Sequence, residues 1–445
     1  MEFVKNMIYK TNTEISDDNL KEFNDSLFIY ETAMKILNTK LGIIESEYDR
    51  DKMHNDLQGI KCRIKSRESI LKKLEKNGHD FSIENIEKYL NDVVGARIIC
   101  LTEEDVYSIV KMIKNVPSIR VIQEKDYIAN PKESGYRSYH IIIEIDVPLA
   151  NGQIVPVRAE VQVRTLLMDA WSSLEHEIIY KNKRCTEESK NRLRDYSYEL
   201  AFVEKNMSQT RERELTSGDD TKVRHVIDSK ELKNFKENLY IYDAASMILE
   251  SYIDIIKSEY DSLGYYSDIQ NIRFRTKSIE SIDEKLVSNN LEFTLDNIRD
   301  SIKDVIAARI VCLDLEDVKK MVELLTMYPG INIIESKDYI TCPKESGYRS
   351  HHLIVEIPVE LSSGTINVKA EIQVRTILMD AWAALEHETI YKNRSCSDES
   401  RQMLRTYSYI LSSMDHNMVD IKKREVSNLT NLADDEEVKK RVKSK

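Results

Sequence analysis

One eight-residue stretch, 157–164 (VRAEVQVR), alternates apolar and polar side chains with a period of two. This period is typical of a β-strand, because successive side chains point to opposite faces of a sheet. The polar face comprises Arg158, Glu160, Gln162 and Arg164, and a second stretch at 368–375 repeats it with Lys369, Glu371, Gln373 and Arg375. The pattern alone also fits a half-exposed strand with one solvent-facing side. The order Glu, Gln, Arg, kept in both stretches, favours a functional site.

A carboxylate among cations suggests phosphate chemistry. Glu cannot hold phosphate, but Glu and a second acid can hold Mg²⁺ against it while Arg and Lys bind the phosphoryl oxygens. Asp92 is a candidate for the second acid, because it precedes an apolar strand in DVVGAR, and Asp304 has the same position in DVIAAR. Taken alone, either Asp also fits an ordinary turn residue.

The residues around these candidates belong to a long internal repeat. Residues 125–140 (KDYIANPKESGYRSYH) and 337–352 (KDYITCPKESGYRSHH) are identical at 13 of 16 positions. Residues 159–182 and 370–393 are identical at 19 of 24 positions. The offset exceeds two hundred residues, whereas solenoid repeats recur every ~20 to 50 residues. The sequence therefore predicts a duplicated domain, with a first repeat at 1–216, a linker at 217–228 and a second repeat at 229–445.

Each repeat interleaves helical and strand patterns. Helical spacing of apolar residues occurs at 25–48, 69–75, 82–90 and 104–114, and the helical pattern resumes after 164 and continues to about 214. Strand patterns occur at 97–101, at KDYI (125–128), at 140–147 and at 157–164. We therefore expect an α/β or α+β fold in each repeat, with one mixed sheet flanked by helices.

Composition restricts the classes of function. Of the 445 residues, 41% are hydrophobic and 32% charged, which is typical of a globular protein. There is no apolar run of ~18 residues and no secretory signal, so we expect a cytoplasmic protein without a membrane partner. The six Cys form no CxxC pair and no zinc-ligand spacing is present. The net charge of −12 argues against wide, nonspecific nucleic-acid binding.

Five ordered motifs resemble the RelA/SpoT alarmone synthetase domain, and most closely its small, single-module form. In the first repeat they are RIKSRESI (63–70), DVVGARIIC (92–100), KDYIANPKESGYRSYH (125–140), AEVQVRT (159–165) and MDAWSSLEHEIIYK (168–181). In the second repeat they are RTKSIESI (275–282), DVIAARIVC (304–312), KDYITCPKESGYRSHH (337–352), AEIQVRT (370–376) and MDAWAALEHETIYK (379–392).

The resemblance implies two tandem nucleotidyltransferase-like synthetase domains. It implies a GTP pyrophosphokinase that moves the β,γ-diphosphate of ATP to the ribose 3′-OH of GDP or GTP, giving ppGpp or pppGpp. Without a hydrolase module, we expect synthesis only. The catalytic and Mg²⁺-binding acids would be Asp92, Glu160, Asp304 and Glu371. The ATP-binding residues would be Arg63, Lys65, Ser66, Arg97, Arg275, Lys277, Ser278 and Arg309. The GDP- or GTP-binding residues would be Lys132, Tyr136, Arg137, His140, Gln162, Lys344, Tyr348, Arg349, His352 and Gln373.

Alternatives stay open at this stage. One is a toxin-like pyrophosphokinase acting on ATP or the tRNA 3′ end, and another is a noncatalytic nucleotide-sensing tandem. The family resemblance also implies homo-oligomers, or pairing of the two repeats within one chain, with an alarmone as allosteric ligand. Ala307 replaces Gly95 in the second repeat, which would narrow the adenine side of that site.

Overall fold

The computed structural model describes residues 17–52, 57–180, 185–215, 227–262, 269–362, 364–391 and 397–443. The chain divides into two compact units, Met1–Asp169 and Ala170–Lys445. Most of the predicted linker at 217–228 lies outside the described residues. The repeat boundaries at 216 and 229 stay predictions.

The helices and strands of the first unit alternate as the sequence patterns predict. In chain order they are α1 (Asp17–Lys52), β1 (Leu57–Ile64), α2 (Arg67–Lys76), α3 (Ile83–Tyr89), β2 (Val94–Cys100), α4 (Glu103–Asn115), β3 (Ile119–Asp126), β4 (Tyr139–Pro148), β5 (Ile154–Thr165) and the start of α5 (Leu166–Glu175). The strands form one sheet in the order β1-β2-β5-β4-β3. Because β2 and β5 are parallel while the other pairs are antiparallel, the sheet is mixed.

Local sequence signals fix where several helices begin. The Ser66 hydroxyl accepts a hydrogen bond from the Ser69 amide at the start of α2, and Ser82 caps α3 in the same way. Thr102 and Asp105 form a reciprocal capping box at the start of α4. The apolar face of β5 is buried against α1 and α4, with Ala159, Val161 and Val163 fully inaccessible to solvent.

The second unit repeats this architecture. It contains the end of α5, a π-helical turn (His176–Tyr180), α6 (Glu187–Leu215), α7 (Ser229–Glu237), α8 (Leu239–Ser262), β6 (Ile269–Thr276), α9 (Ile279–Ser288), α10 (Leu295–Ser301), β7 (Ile306–Cys312), α11 (Leu315–Met327), β8 (Asn332–Asp338), β9 (His351–Leu361), β10 (Gly364–Thr376), α12 (Ile377–Glu386), a second π-helical turn (His387–Tyr391) and α13 (Asp398–Lys443). Its sheet order, β6-β7-β10-β9-β8, matches that of the first unit. The predicted pair of α/β domains, each with one mixed sheet, is confirmed.

Helices from the end of the first repeat are part of the second unit. A small apolar cluster joins α5, the first π-helical turn and α6 to the second repeat. It contains Leu174, Ile178, Leu193, Leu313, Met418 and Ile421. The second unit is therefore larger than the second repeat.

Two local predictions differ from the structure. The strand predicted at KDYI begins earlier, at Ile119, and ends at Asp126. It ends there because the Asp126 carboxylate accepts hydrogen bonds from the amides of Ile128 and Ala129, which turns the chain. Strand β1 (LQGIKCRI) was not predicted. Its alternation of apolar and polar residues is confined to 60–64, and a register shift interrupts the strand between Leu57 and Gly59. In the part of the chain that the structure describes, no helix is both long and apolar enough to span a membrane.

Candidate active site

Strand register brings the predicted site residues of the first repeat onto one face of the sheet. Glu160 on β5 lies beside Gly95 on β2, and Gly95 lies opposite Arg63 on β1. One step along, Gln162 lies beside Arg97 on β2 and His140 on β4. Directly paired residues share a face, and so do residues two apart. The site is therefore built on four neighbouring strands, β1, β2, β5 and β4.

A hydrogen-bonded chain of side chains crosses this face. The Tyr136 hydroxyl lies 2.8 Å from His140 Nε2, and His140 Nδ1 lies 3.2 Å from Glu160 Oε1. Because a carboxylate only accepts, Nδ1 donates to Glu160, and in the neutral ring Nε2 accepts from the tyrosine. Gln162 donates to the other Glu160 oxygen at 2.8 Å and accepts a hydrogen bond from Arg164.

The polar face of β5 becomes more buried from Arg158 to Arg164. Arg158 is exposed and Glu160 and Gln162 are half-buried, whereas Arg164 is only 1% exposed. The Arg164 guanidinium is paired with Asp169 at 3.5 Å and lies 5.9 Å from the Tyr136 ring centroid. The alternative of an ordinary strand with one wet side is therefore wrong at Arg164.

Asp92 lies in a bend before β2 and binds two lysines through one oxygen. Its Oδ2 is 2.9 Å from Lys65 Nζ and 2.8 Å from Lys73 Nζ. Its Oδ1 is buried without a hydrogen-bond partner. Lys73 was not predicted. It lies on α2, and its contact with Asp92 depends on folding.

The two acids are held in the ionised state. Burial acts to raise the pKa of Glu160, but hydrogen bonds from His140 and Gln162 and the positive charges nearby outweigh it and lower the pKa to about 2. Burial opposes ionisation of Asp92 too, and the two lysine ammonium groups lower its pKa below the ordinary value. Both carboxylates can therefore serve as anionic ligands at neutral pH.

Arg63 and Arg97 lie on the same face with Gly95 between them. Arg97 is held by Asp169 at 3.1 Å, while Arg63 on the edge strand is exposed. A methyl group built at Gly95 would come no closer than 3.9 Å to a neighbouring atom, so Ala307 fits the same position in the second repeat. Two guanidinium groups on one face of the sheet are groups on which a flat ring could stack.

An aromatic cluster surrounds the KESGYRS loop. The Lys132 ammonium lies 4.7 Å from the Tyr127 ring centroid and 4.5 Å from that of Tyr136. Tyr136 is 9% exposed. A base stacking on this ring would displace the Lys132 ammonium from it.

The second repeat reproduces most of these contacts but differs at the aspartate, where both carboxylate oxygens are bound. Asp304 binds Lys277 and Lys285 at 2.7 Å each, one lysine to each oxygen. Tyr348, His352 and Glu371 form the same chain, at 2.9 and 3.4 Å, and Gln373 donates to Glu371. Arg309 pairs with Asp380 at 3.2 Å. Lys344 lies 4.8 Å from the ring centroids of Tyr339 and Tyr348.

Some predicted residues are placed differently from the rest. Ser66 and Ser278 cap helices, and Arg275 is exposed opposite Ala307. Arg137 donates to Glu103, whereas its counterpart Arg349 donates to the Ile340 carbonyl at 2.8 Å.

Three site residues of the first repeat, each with an equivalent in the second, were not predicted from the sequence. They are Lys73 and Lys285, Asp169 and Asp380, and Tyr127 and Tyr339. Each pair recurs at the repeat offset, which is the signal that could have revealed them.

Two mixed sheets, each flanked by helices and each with two acids among lysines and arginines, define a tandem α/β protein. The family model described as a region found in RelA / SpoT proteins matches residues 62–185 and 274–396, more than half of the chain. The chain belongs to the RelA/SpoT family.

Several relatives match one repeat length of this chain. GTP pyrophosphokinase YwaC of Bacillus subtilis is 41% identical over 162 residues, which are 36% of this chain and 77% of YwaC. GTP pyrophosphokinase YjbM of the same organism is 31% identical over 192 residues, 43% of this chain and 89% of YjbM. The crystal structure of B. subtilis small alarmone synthetase 1 bound to its product pppGpp is 31% identical, with a TM-score of 0.40, and the match covers 43% of this chain and 98% of that one.

Proposed function

We propose that this protein is a GTP pyrophosphokinase that transfers the β,γ-diphosphate of ATP to the ribose 3′-OH of GDP or GTP. The observation that carries the proposal is the shared sheet face in each repeat, where two arginines and a glutamate lie beside an aspartate and an aromatic loop. The relatives named GTP pyrophosphokinase support the same reaction.

The proposed reaction needs positioning and charge neutralisation more than covalent help from the protein. The ribose 3′-oxygen forms a bond to the β-phosphorus of ATP, and the bond from that phosphorus to the α,β-bridging oxygen breaks. AMP leaves, and ppGpp or pppGpp is formed. The proton of the 3′-OH goes to Glu160, whose carboxylate is oriented by hydrogen bonds from His140 and Gln162.

Asp92 and Glu160 fit a Mg²⁺ site. Mg²⁺ in phosphate-transfer enzymes is held by one or two carboxylates together with substrate phosphates. The unpartnered buried oxygen of Asp92 suits such a ligand, and both acids are ionised at neutral pH. The metal would supply charge neutralisation at the phosphates. Lys65 and Lys73, which now neutralise Asp92, would then be available to bind phosphoryl oxygens.

We propose the binding roles that the family resemblance implies. Arg63 and Arg97 would hold adenine on the face that they share with Gly95. The loop with Lys132 and Tyr136 would hold the guanine nucleotide, next to His140 and Gln162. The second repeat offers the corresponding set, so we propose two working sites and synthesis without hydrolysis.

Product analysis by anion-exchange chromatography tests this proposal. The protein is incubated with γ-labelled ATP, Mg²⁺ and, in separate reactions, GDP, GTP, GMP, ATP or deacylated tRNA. Wild type is compared with Glu160→Gln, Glu371→Gln and the double variant. We expect label on GDP and GTP, lost fully only in the double variant.

Other outcomes would overturn parts of the proposal. Label on tRNA or on an adenine nucleotide alone would indicate the toxin-like alternative. Absence of transfer to every acceptor would leave a nucleotide-binding protein. Loss of all transfer in one single variant would show that only that repeat is active.

A further inference from the structure

The loop KESGYRS of the second repeat lies between the site and helix α13, and its residues alternate between the two. Lys344 and Tyr348 face the aromatic cluster, where Tyr348 bonds His352. Glu345, Gly347 and Arg349 contact α13 instead. The loop is therefore held from the side opposite to the nucleotide-facing residues.

Three residues of one turn and a half of α13 make these contacts. Arg405 pairs with Glu345 at 2.8 Å, the Ser408 hydroxyl donates to the Gly347 carbonyl at 2.5 Å, and the Arg349 guanidinium lies 5.8 Å from the Tyr409 ring centroid. The contacts differ in solvent exposure, and this difference indicates how much each contributes. Glu345 is 91% exposed, so its ion pair contributes little, whereas Ser408 is buried.

Ser408 meets the loop at its tightest point. The Gly347 amide donates to the Lys344 carbonyl at 2.8 Å, which closes a turn, and Gly347 has a φ of +93°. A methyl group at Gly347 would come within 2.8 Å of Ser408 Cβ. The hydroxyl of Ser408 supplies the hydrogen bond that the Gly347 carbonyl makes to α13. The turn and the helix are thus fitted to each other.

We propose that Ser408 is a positioning residue for the guanine-nucleotide subsite of the second repeat. It acts through the backbone of Gly347, which sets where Lys344 and Tyr348 stand. The inference rests on the proposed function for the identity of the nucleotide. The sequence supports it independently, because Leu-Arg-x-Tyr-Ser-Tyr occurs at 404–409 and again at 193–198, beyond the motifs that identified the domain.

The test measures the second site alone, in a Glu160→Gln background. Ser408→Ala should raise the KM for GDP about 5- to 30-fold, as loss of a buried hydrogen bond predicts, and leave the KM for ATP within about 2-fold. Ser408→Cys, whose thiol is a weak donor, should give a KM for GDP between those of the parent and Ser408→Ala. Ser413→Ala, at an exposed position of the same helix, and Glu345→Gln should change neither constant more than about 2-fold.

Direct binding of a fluorescent GDP analogue separates this inference from the proposed function. Absence of transfer in the Glu160→Gln parent, with GDP binding weakened by Ser408→Ala, would reject the reaction in that repeat and keep the positioning role. Equal GDP affinity and equal KM in the parent and Ser408→Ala would overturn the inference, as would an equal rise in both KM values. Gly347→Ala, which perturbs the contact from the loop side, should also weaken GDP binding. It serves as the test should Ser408→Ala not fold.

Discussion

A buried carboxyl on α13 should make the stability of the second unit depend on pH. Asp415 is 3% exposed, and its Oδ2 accepts a hydrogen bond from Thr376 at 2.8 Å. Burial, with a smaller contribution from the charge of Asp314, raises the pKa of Asp415 to about 8, although the hydrogen bond from Thr376 and the charge of Arg349 act to lower it. Folding therefore requires this carboxyl to be protonated at neutral pH.

The sign and size of the effect follow from linkage. The folded pKa lies above the unfolded value of 3.8, so the stability contribution is complete below pH 3.8 and is lost as pH rises towards 8. At about 1.4 kcal/mol per pH unit, the cost of protonating Asp415 rises by roughly 3 kcal/mol over the two units between pH 5 and pH 7. Asp415→Asn removes this cost. Its effect on the free energy of unfolding should therefore become more favourable by about 3 kcal/mol between these pH values.

Tryptophan fluorescence during urea unfolding measures this change. The two tryptophans of the chain, Trp171 and Trp382, are both buried in the second unit, so their emission reports the unfolding of the unit that contains Asp415. Asp420→Asn, at an exposed position of the same helix, is the matched control and should give the same small difference at both pH values. An Asp415→Asn effect that does not change between pH 5 and pH 7 would refute the reasoning.

Three further outcomes are expected. Lys73→Met, assayed in a Glu371→Gln background, should raise the KM for ATP about 10-fold, because a charge-assisted contact is lost. Lys72→Met, on the exposed side of α2, should leave this KM unchanged. Equal effects of the two substitutions would reject a phosphate role for Lys73. Leu193→Ala, in the first repeat, should lower the free energy of unfolding reported by the tryptophans by about 2 to 5 kcal/mol, and Phe202→Ala, 60% exposed, by much less; similar values would contradict the described packing. Because the pKa of Glu160 is lowered to about 2, kcat measured in the Glu371→Gln background should not fall near pH 4.5, the ordinary pKa of glutamate. A fall in kcat near that pH, with unchanged tryptophan fluorescence, would count against the ionised state of Glu160.

The sequence predicted the residues whose signal is local. Alternation identified the polar and apolar faces of β5, and the repeat identified Glu160 with its counterpart Glu371. The helix predicted at 82–90 is present as α3, because its start depends on a cap, Ser82, that contacts only its own first turn.

The rest depends on contacts between distant parts of the chain. Lys73 contacts Asp92 only in the folded chain, and no local spacing pattern in the sequence predicts that ion pair. Arg164 looked like a solvent-facing cation, yet it is buried because Asp169 and Tyr136 close over it. The apparent polarity of a position does not reveal what later covers it.

The second unit has one more consequence, which concerns how the halves of this chain can be separated. Leu174, Ile178 and Leu193 of the first repeat share an apolar cluster with residues of the second. Cutting the polypeptide between the repeats would therefore leave the two fragments associated. Expressing residues from 229 onward alone would expose apolar side chains that residues 170–215 now cover. The second repeat therefore depends on helices of the first repeat to cover its apolar side chains, whereas the first unit, Met1–Asp169, has a core of its own.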